Sequence, residues 1–451
     1  MASREHVNVY LPVIISAGLY ILMGYFTPRE DSFLLLTAYG LLFITYSWLL
    51  YKSRPCSVPH FILVGILFRM LLLFSLPSLS DDIYRFVWDG RLLLEGINPF
   101  DKVPSAYALA NAYPAKLDAH LFSLLNSPDY FTIYPPFAQF VFWLSVLLSP
   151  DSILGSAVVM RLMIIFAEAG TIYFLLKLAD HYNVPRKNVL LYVLNPLVIL
   201  ELTGNLHFEA FMIFFLVAAI YYFQQNKLFQ SAGLYAVAIA SKLIPLIFLP
   251  IWLRRVKPVR WLKFYTLIAI FVILTFLPLL GSGLWEGMGS SISLYFQKFE
   301  FNASVYYLIR EIGLWIKGYN IIADAGPYLG IATFLLIILF ALVKYDIKLP
   351  QALLWVLLIY FLLATTVHPW YVTTLVAVSV LTPYRFAVLW SFLIFFTYFG
   401  YHEGGYRENL WLVGIEYAIL IVYILYEIYT KKNKKAGTGM DKSNDTCTVA
   451  S

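Results

Sequence analysis

An all-α bundle that crosses a membrane many times is the fold this sequence predicts, and three observations predict it. Apolar residues fill 61% of the 451 positions and charged residues only 13%, about half the charged share of a soluble domain. Apolar runs approaching the roughly 20 residues that span a bilayer recur along the chain. Positive charges recur in the polar breaks after every second run of the C-terminal half. Open sheets cannot satisfy their backbone in lipid, so these runs are helices.

The runs lie near 8–26, 32–51, 60–77, 131–149, 156–179, 188–203, 207–224, 230–250, 261–280, 327–343, 350–366, 370–382, 386–401 and 411–430. Several are short or broken by proline or glycine, so about 11 to 14 crossings are expected. Aromatic content is 18%, with 34 Tyr and 11 Trp, as suits many helix ends at the membrane interface. The first run leads straight into a second and a third, unlike a cleavable signal. Cys56 and Cys447 lie far apart and indicate neither a disulfide framework nor a thiolate metal site. The formal charge of +6 is unevenly placed and reflects membrane orientation, not a nucleic-acid partner.

Three helices in 1–77 deliver the chain to a segment, 78–130, that holds seven acids and four Lys/Arg. The positive-inside rule places Arg4, Lys52 and Arg54 in the cytoplasm. It does the same for Arg254, Arg255, Lys257, Arg260 and Lys263, then Lys344 and Lys348, Arg385, and Lys431, Lys432, Lys434 and Lys435. Segment 78–130, a second loop at 281–326, the turn His368-Pro369-Trp370-Tyr371 and 402–409 then share the extracytoplasmic face, with the bundle 131–430 around them. Strict alternation would strand Arg186-Lys187 outside and Gly204–Glu209 inside. Two non-crossing hairpins repair this. One is 131–149, entered through Tyr134-Pro135-Pro136. The other is 230–253, broken at Ser241-Lys242-Leu243-Ile244-Pro245, where proline removes a backbone donor and lysine needs a polar lining. The polar tail 431–451 reads as disordered, its basic start held at the cytoplasmic leaflet.

The stretch from Ser80 to Arg91 concentrates three carboxylates and two guanidiniums at the lip of a span, where ionisable groups are seldom idle. Asp82, Arg85 and Asp89 recur at i, i+3 and i+7, with Ile83, Phe86, Val87, Leu93 and Leu94 on other faces. This pattern predicts an interfacial helix that turns carboxylates towards a cavity above the bilayer. Asp81 or Asp82 is equally a helix N-cap, with Arg85 its partner. His207 and Glu209 follow Glu201 and Gly204-Asn205, grouping polar residues between two apolar runs. Lys242, inside an apolar run, must find an anion or a water-filled space. His368 at a proline-broken junction, and Arg407 with His402 in the loop 401–408, are suited to holding phosphate. Asn302-Ala303-Ser304 is a glycosylation sequon. No Walker loop, dinucleotide fingerprint, zinc-spaced set or nucleophile elbow occurs. An enzyme working outside without a nucleotide site needs an activated substrate that arrives through the membrane, as a polyprenyl-phosphate sugar does.

Taken together these motifs resemble the GT-C superfamily of integral-membrane glycosyltransferases. The resemblance rests on Asp81-Asp82 opening the first large exterior loop, then Trp88-Asp89-Gly90 and Gly96-x-Asn98-Pro99. Tyr134-Pro135-Pro136 is similar to the start of the next helix in dolichol-pathway and bacterial polyprenyl-phosphomannose-dependent members. Asn195-Pro196-Leu197 with Gly204-Asn205-x-His207-x-Glu209, Ser241-Lys242 and Val367-His368 extend the likeness over about residues 78–375. Many members have one span before the acidic loop, so the two helices in 8–51 look like an addition. The resemblance implies an inverting transferase moving mannose from a polyprenyl phosphate to a glycan or glycolipid hydroxyl. Asp81 or Asp82 would be the general base, and Lys242, His368 and Arg407 would hold the donor phosphate. Tyr84, Arg85, Asp89, Tyr134, Asn205, His207, Glu209, Trp370 and Tyr371 would line the substrates. It implies no nucleotide and no obligatory metal, although an Asp pair is able to bind Mg²⁺ or Mn²⁺. Short loops and the lack of an ER-retrieval signal make the bacterial inner membrane the expected location, with the site facing the periplasm and lipids around it. The alternative is a transporter or flippase for a lipid-linked sugar, which suits the broken helices and Lys242 but calls for internal repeats the sequence lacks.

Overall fold

Leucine-, isoleucine- and phenylalanine-rich runs fold as helices throughout the computed structural model, which describes residues 2–110 and 112–437. The first three helices, α1 (Ala2–Tyr25), α2 (Ser32–Lys52) and α3 (Val58–Leu71), lead to α4 (Asp82–Leu94). Two short helices, α5 (Pro104–Leu109) and α6 (Ala119–Ser123), precede α7 (Pro136–Leu148) and the long α8 (Ile153–Tyr182). After α9 (Leu190–Val193) comes a π-helical turn, Val198–Gly204, then α10 (Glu209–Gln224) and α11 (Leu228–Ser241). The 3-10 segment Ile244–Trp252 leads to α12 (Pro258–Phe276), α13 (Ser282–Gln297), α14 (Val305–Lys317) and α15 (Ile322–Val343). The chain closes with α16 (Leu349–Leu363), α17 (Pro369–Ser379), α18 (Phe386–Leu393), a hairpin of β1 (Tyr401–His402) and β2 (Gly405–Tyr406), and α19 (Leu410–Gly437). The protein is an all-α polytopic membrane protein. The hairpin is the one sheet among the described residues.

Five described helices are long and apolar enough to cross a membrane, and the pair Val198–Gly204 and Glu209–Gln224, bent by 110°, makes a sixth if counted as one broken span. Six further apolar helices have 10–17 residues. Apolar runs therefore overcount full-length crossings: the 131–149 run yields a 13-residue helix laid along α4, and the 230–253 run doubles back. Helix α7 runs parallel to α4: Tyr134 at its start meets Asp82, and Phe142 and Val146 pack on Gly90. A Cβ on Gly90 would stand 2.6 Å from the Phe142 carbonyl, so the two backbones touch and only glycine fits. The α11 chain turns at Lys242, whose backbone is extended, and doubles back as Ile244–Trp252. The Tyr235 hydroxyl donates to the Pro245 carbonyl across this fold at 2.7 Å, and Trp252 packs on Phe223 near the far end of α10.

These returns sort the charges. Tyr182 bonds to Gln224, Arg254 and Arg255 donate to carbonyls of 342–347, and Asn188 donates to Val380. Arg186, Arg254, Arg255, Lys344 and Arg385 thus gather at one end, while Asp82, Glu209 and Lys242 lie at the other end of the same helices. In a Cys56→Ser, Cys447→Ser background, Arg186→Cys and His402→Cys are expected to react with an impermeant maleimide from opposite sides of the membrane. Labelling of both in intact cells would contradict this arrangement.

The expected interfacial helix is instead core. Ile83, Phe86, Val87, Trp88 and Leu92 of α4 are buried together with Arg85 and Asp89. Phe86 stacks on Phe142 at 4.5 Å, and Phe142 meets Phe208 at 4.9 Å. The amphipathic pattern reports burial against α7 and α10, not against lipid. The tail departs from expectation too, since α19 continues through 431–437, while 438–451, with Cys447, lie outside the described residues. Asn302 of the sequon is fully buried and donates to Glu416 at 3.1 Å, which leaves no room for a glycan.

Candidate active site

The two adjacent aspartates separate at the first turn of α4. Asp81 precedes the helix and takes a 2.7 Å bond from Arg29 of the α1–α2 loop. Burial lowers the Arg29 pKa more than any single neighbour raises it, but Asp81, Glu30 and Tyr401 together outweigh it and hold the guanidinium's pKa up. The same guanidinium lies 5.1 Å from the centre of the Tyr401 ring. Asp82 points elsewhere: it accepts from the Tyr134 hydroxyl and from Asn126 Nδ2, each at 3.2 Å. One carboxylate is committed to a structural ion pair, and its neighbour is held by two neutral donors.

Backbone strain shapes the second part. Between Gly204 and Glu209 the chain turns through the 110° bend with Leu206 at φ 61°, a rare conformation for a branched residue and one that packing must enforce. Arg161 of α8 supplies part of that enforcement, donating to the carbonyls of Thr203, Gly204 and Leu73 at 2.8–2.9 Å. Asn205 accepts from the Leu79 amide at 3.2 Å and donates to Glu201 at 3.3 Å. The bend is thereby tied to the start of the acidic segment, and His207 emerges close enough to Asp82, Glu209 and Lys242 to feel their charges. Its ring stacks on Trp370 at 3.8 Å, and Trp370 stacks in turn on His368 at 4.3 Å. This three-ring column joins the broken helix to the turn before α17.

Lys242 sits where α11 stops. Its ammonium lies 2.7 Å from Glu209 and 5.5 Å from the centre of the Tyr371 ring. It also stands at the head of a cavity of about 390 Å³. Thr132, Tyr134, Ser291, Thr365, Thr366 and Tyr371 give that head its hydroxyls, and below them Ile247, Pro250, Gly330, Phe334 and Ile337 make an apolar slot. Through Tyr134 the slot abuts Asp82. A cation and an apolar channel therefore share one space, with the Asp82 carboxylate one hydrogen bond behind its Tyr134 wall.

The expected site residues divide accordingly. Tyr134, Lys242 and Tyr371 line the cavity; Asp82 stands behind Tyr134, His368 and Trp370 pack on Tyr371, and His207 stacks on Trp370. Glu209 is wholly buried behind Lys242. Asn205 fixes the bend. Asp89 is fully buried and satisfied by Arg85 at 2.9 Å and Gln139 at 3.0 Å, so it does not reach a substrate. Arg85 also donates from Nη1 to the carbonyls of Ser127 and Tyr130. Tyr84 packs against the core away from the cavity. Arg407 is exposed on the segment after β2, outside the cavity lining, and exposed His402 bonds only locally, accepting from the Gly404 amide. Sequence reasoning missed Arg29, Asn126, Arg161 and Thr366, whose partners are tens of residues away or more. Among the described residues no group of three or more His, Cys, Asp or Glu has a metal-holding arrangement.

Residues 12–256 match the family described as alpha-(1->6)-mannopyranosyltransferase, N-terminal domain. That range contains Asp81, Asp82, Tyr134, His207, Glu209 and Lys242 but not His368. The chain is similar to alpha-(1->6)-mannopyranosyltransferase A of Mycobacterium tuberculosis, 25% identical over 240 residues, or 49% of this chain and 45% of that protein. It is also similar to alpha-(1->6)-mannopyranosyltransferase A of Corynebacterium glutamicum, 23% identical over 188 residues, or 40% of this chain and 36% of that protein. The match spans less than half the length of either relative.

Proposed function

The chain belongs to the alpha-(1->6)-mannopyranosyltransferase family, and on that premise we propose that it transfers mannose from a polyprenyl-phosphate donor to a hydroxyl of a lipid-linked or cell-envelope glycan. The observation that carries this reading is the junction of three features: Asp82 on Tyr134, Lys242 at the head of the cavity, and the apolar slot beneath. The donor's chain occupies the slot and its phosphate lies by Lys242, with the Thr366 and Tyr371 hydroxyls beside it. The acceptor hydroxyl approaches from the Asp82 side. Its oxygen bonds to the anomeric carbon as its proton passes to Asp82, and the carbon–oxygen bond to phosphate breaks with its electron pair leaving on phosphate. Lys242 stabilises the charge that develops there. One displacement inverts the centre, so a β-linked donor gives an α-linked product.

The positive-inside rule puts the basic end of the bundle in the cytoplasm and the Asp82 end outside, facing the periplasm in a bacterial inner membrane. No nucleotide or metal enters this scheme; activity lost in chelator and restored by a divalent ion would overturn that part. The test is transfer of labelled mannose from polyprenyl-phosphate mannose by the purified protein in detergent. Transfer supports the reading; binding without transfer, as a flippase gives, would reject it. Gly330→Leu, which narrows the slot, is expected to raise the donor KM by roughly tenfold with kcat nearly unchanged, the pattern of lost uniform binding. An unchanged KM would place the donor chain elsewhere.

A further inference from the structure

Glu209 is the first residue of α10 and is fully buried. The helix N-terminus favours an anion there, yet neither carboxylate oxygen receives a well-angled hydrogen bond. Its close contact is Lys242, 2.7 Å away, whose side chain is 18% exposed and opens on the cavity. Leaving a buried carboxylate without its cation is strongly unfavourable, so Lys242 cannot abandon Glu209 to close on a phosphate. It must serve both.

We infer that Glu209 is a positioning residue that partly neutralises Lys242 and so sets how tightly the spent carrier, a lipid phosphomonoester, is held after transfer. This rests on the donor reading above. The donor phosphodiester carries one negative charge; after the carbon–oxygen bond breaks, the monoester carries up to two, its second ionisation lying near pH 6. A lysine free of Glu209 would bind the more charged product better than the donor and trap it. Paired with Glu209, it supports the transition state without that excess grip, which is what turnover requires.

The experiment measures binding of undecaprenyl monophosphate to wild type, Glu209→Gln, Lys242→Gln and the double variant in detergent, alongside steady-state transfer. Glu209→Gln is expected to bind the monophosphate tighter by on the order of tenfold, a modest yield for one unpaired cation in a half-buried site. Its kcat and donor KM are expected to fall together. The double variant is expected to match Lys242→Gln alone, since Glu209 acts through the lysine; it also remains informative where a bare Lys242 prevents the single variant from folding. Equal or weaker binding by a folded Glu209→Gln overturns the inference, as does any effect of Glu209→Gln that persists without Lys242. Failure of the wild type to bind the monophosphate at all would instead overturn the donor reading.

Discussion

Asp82→Asn is expected to lower kcat for mannose transfer by about 10²–10⁴-fold, the usual worth of a positioned general base, while Asp81→Asn costs far less. The two residues are adjacent, so composition and helix position cannot cause the difference; their partners do. Asp81 is occupied by Arg29, and an exposed or half-exposed pair of this kind contributes little. Asp82 accepts from two neutral groups, Tyr134 and Asn126, which orient the carboxylate without quenching its charge. Asparagine keeps the size and removes the basicity, so a melting temperature near wild type should accompany the loss. Rates measured with labelled donor, at matched thermal stability, check this. Full activity in Asp82→Asn with loss in Asp81→Asn would reverse the assignment.

Arg69→Ala is expected to destabilise the protein by about 3–5 kcal/mol, the range for stripping one partner from a buried ion pair. Arg69 and Glu168 are both fully buried and meet at 2.5 and 3.1 Å. Arg69 also donates to the carbonyls of Gly65 and Val193, and Glu168 accepts from Tyr192 and Thr203. The pair thereby joins α3, α8, α9 and the π-helical turn that leads to Asn205 and His207. Removing only the arginine leaves a carboxylate in the core with its lone pairs half met. Replacing both, as Arg69→Met with Glu168→Leu, is expected to recover much of the loss, because a well-packed apolar pair avoids the desolvation cost. Thermal melts in detergent distinguish the outcomes. A single variant within 1 kcal/mol of wild type, on the order of ordinary surface substitutions, would mean that water or a neighbour satisfies Glu168.

The sequence carried the architecture well and the site in part. Helices are legible because lipid leaves the backbone no alternative, and Lys242 is legible because a lysine in an apolar run demands an anion. The return at Lys242 followed from Pro245 and from charge sorting. The partner, Glu209, came from a different helix, and its burial was not readable from spacing. Helix α4 misled for a related reason: a stripe of Ile83, Phe86 and Val87 says that one face is apolar, not whether lipid or Phe142 covers it. Asp89 and Arg85 fall on a polar stripe and were expected to face substrate, yet they satisfy each other and the 127–130 loop. The proposal of Asp82 over Asp81 as base rests on Arg29 and Tyr134, whose bonds to the two aspartates each span 52 positions. Arg407, chosen for its charge and its side of the membrane, is exposed just after the β1–β2 hairpin and does not line the cavity.

Mannose transfer as proposed needs one shared space, with a carboxylate on one side and a cation on the other. The most direct measurement is a structure with a non-transferable donor, the mannosyl phosphonate of a polyprenol. Its phosphorus is expected beside the Lys242 ammonium, with the anomeric carbon between that group and Asp82 and the lipid chain along Gly330 and Ile337. Density for the phosphonate at Arg407 or at the basic end of the bundle, with Asp82 facing packed protein, would contradict the account.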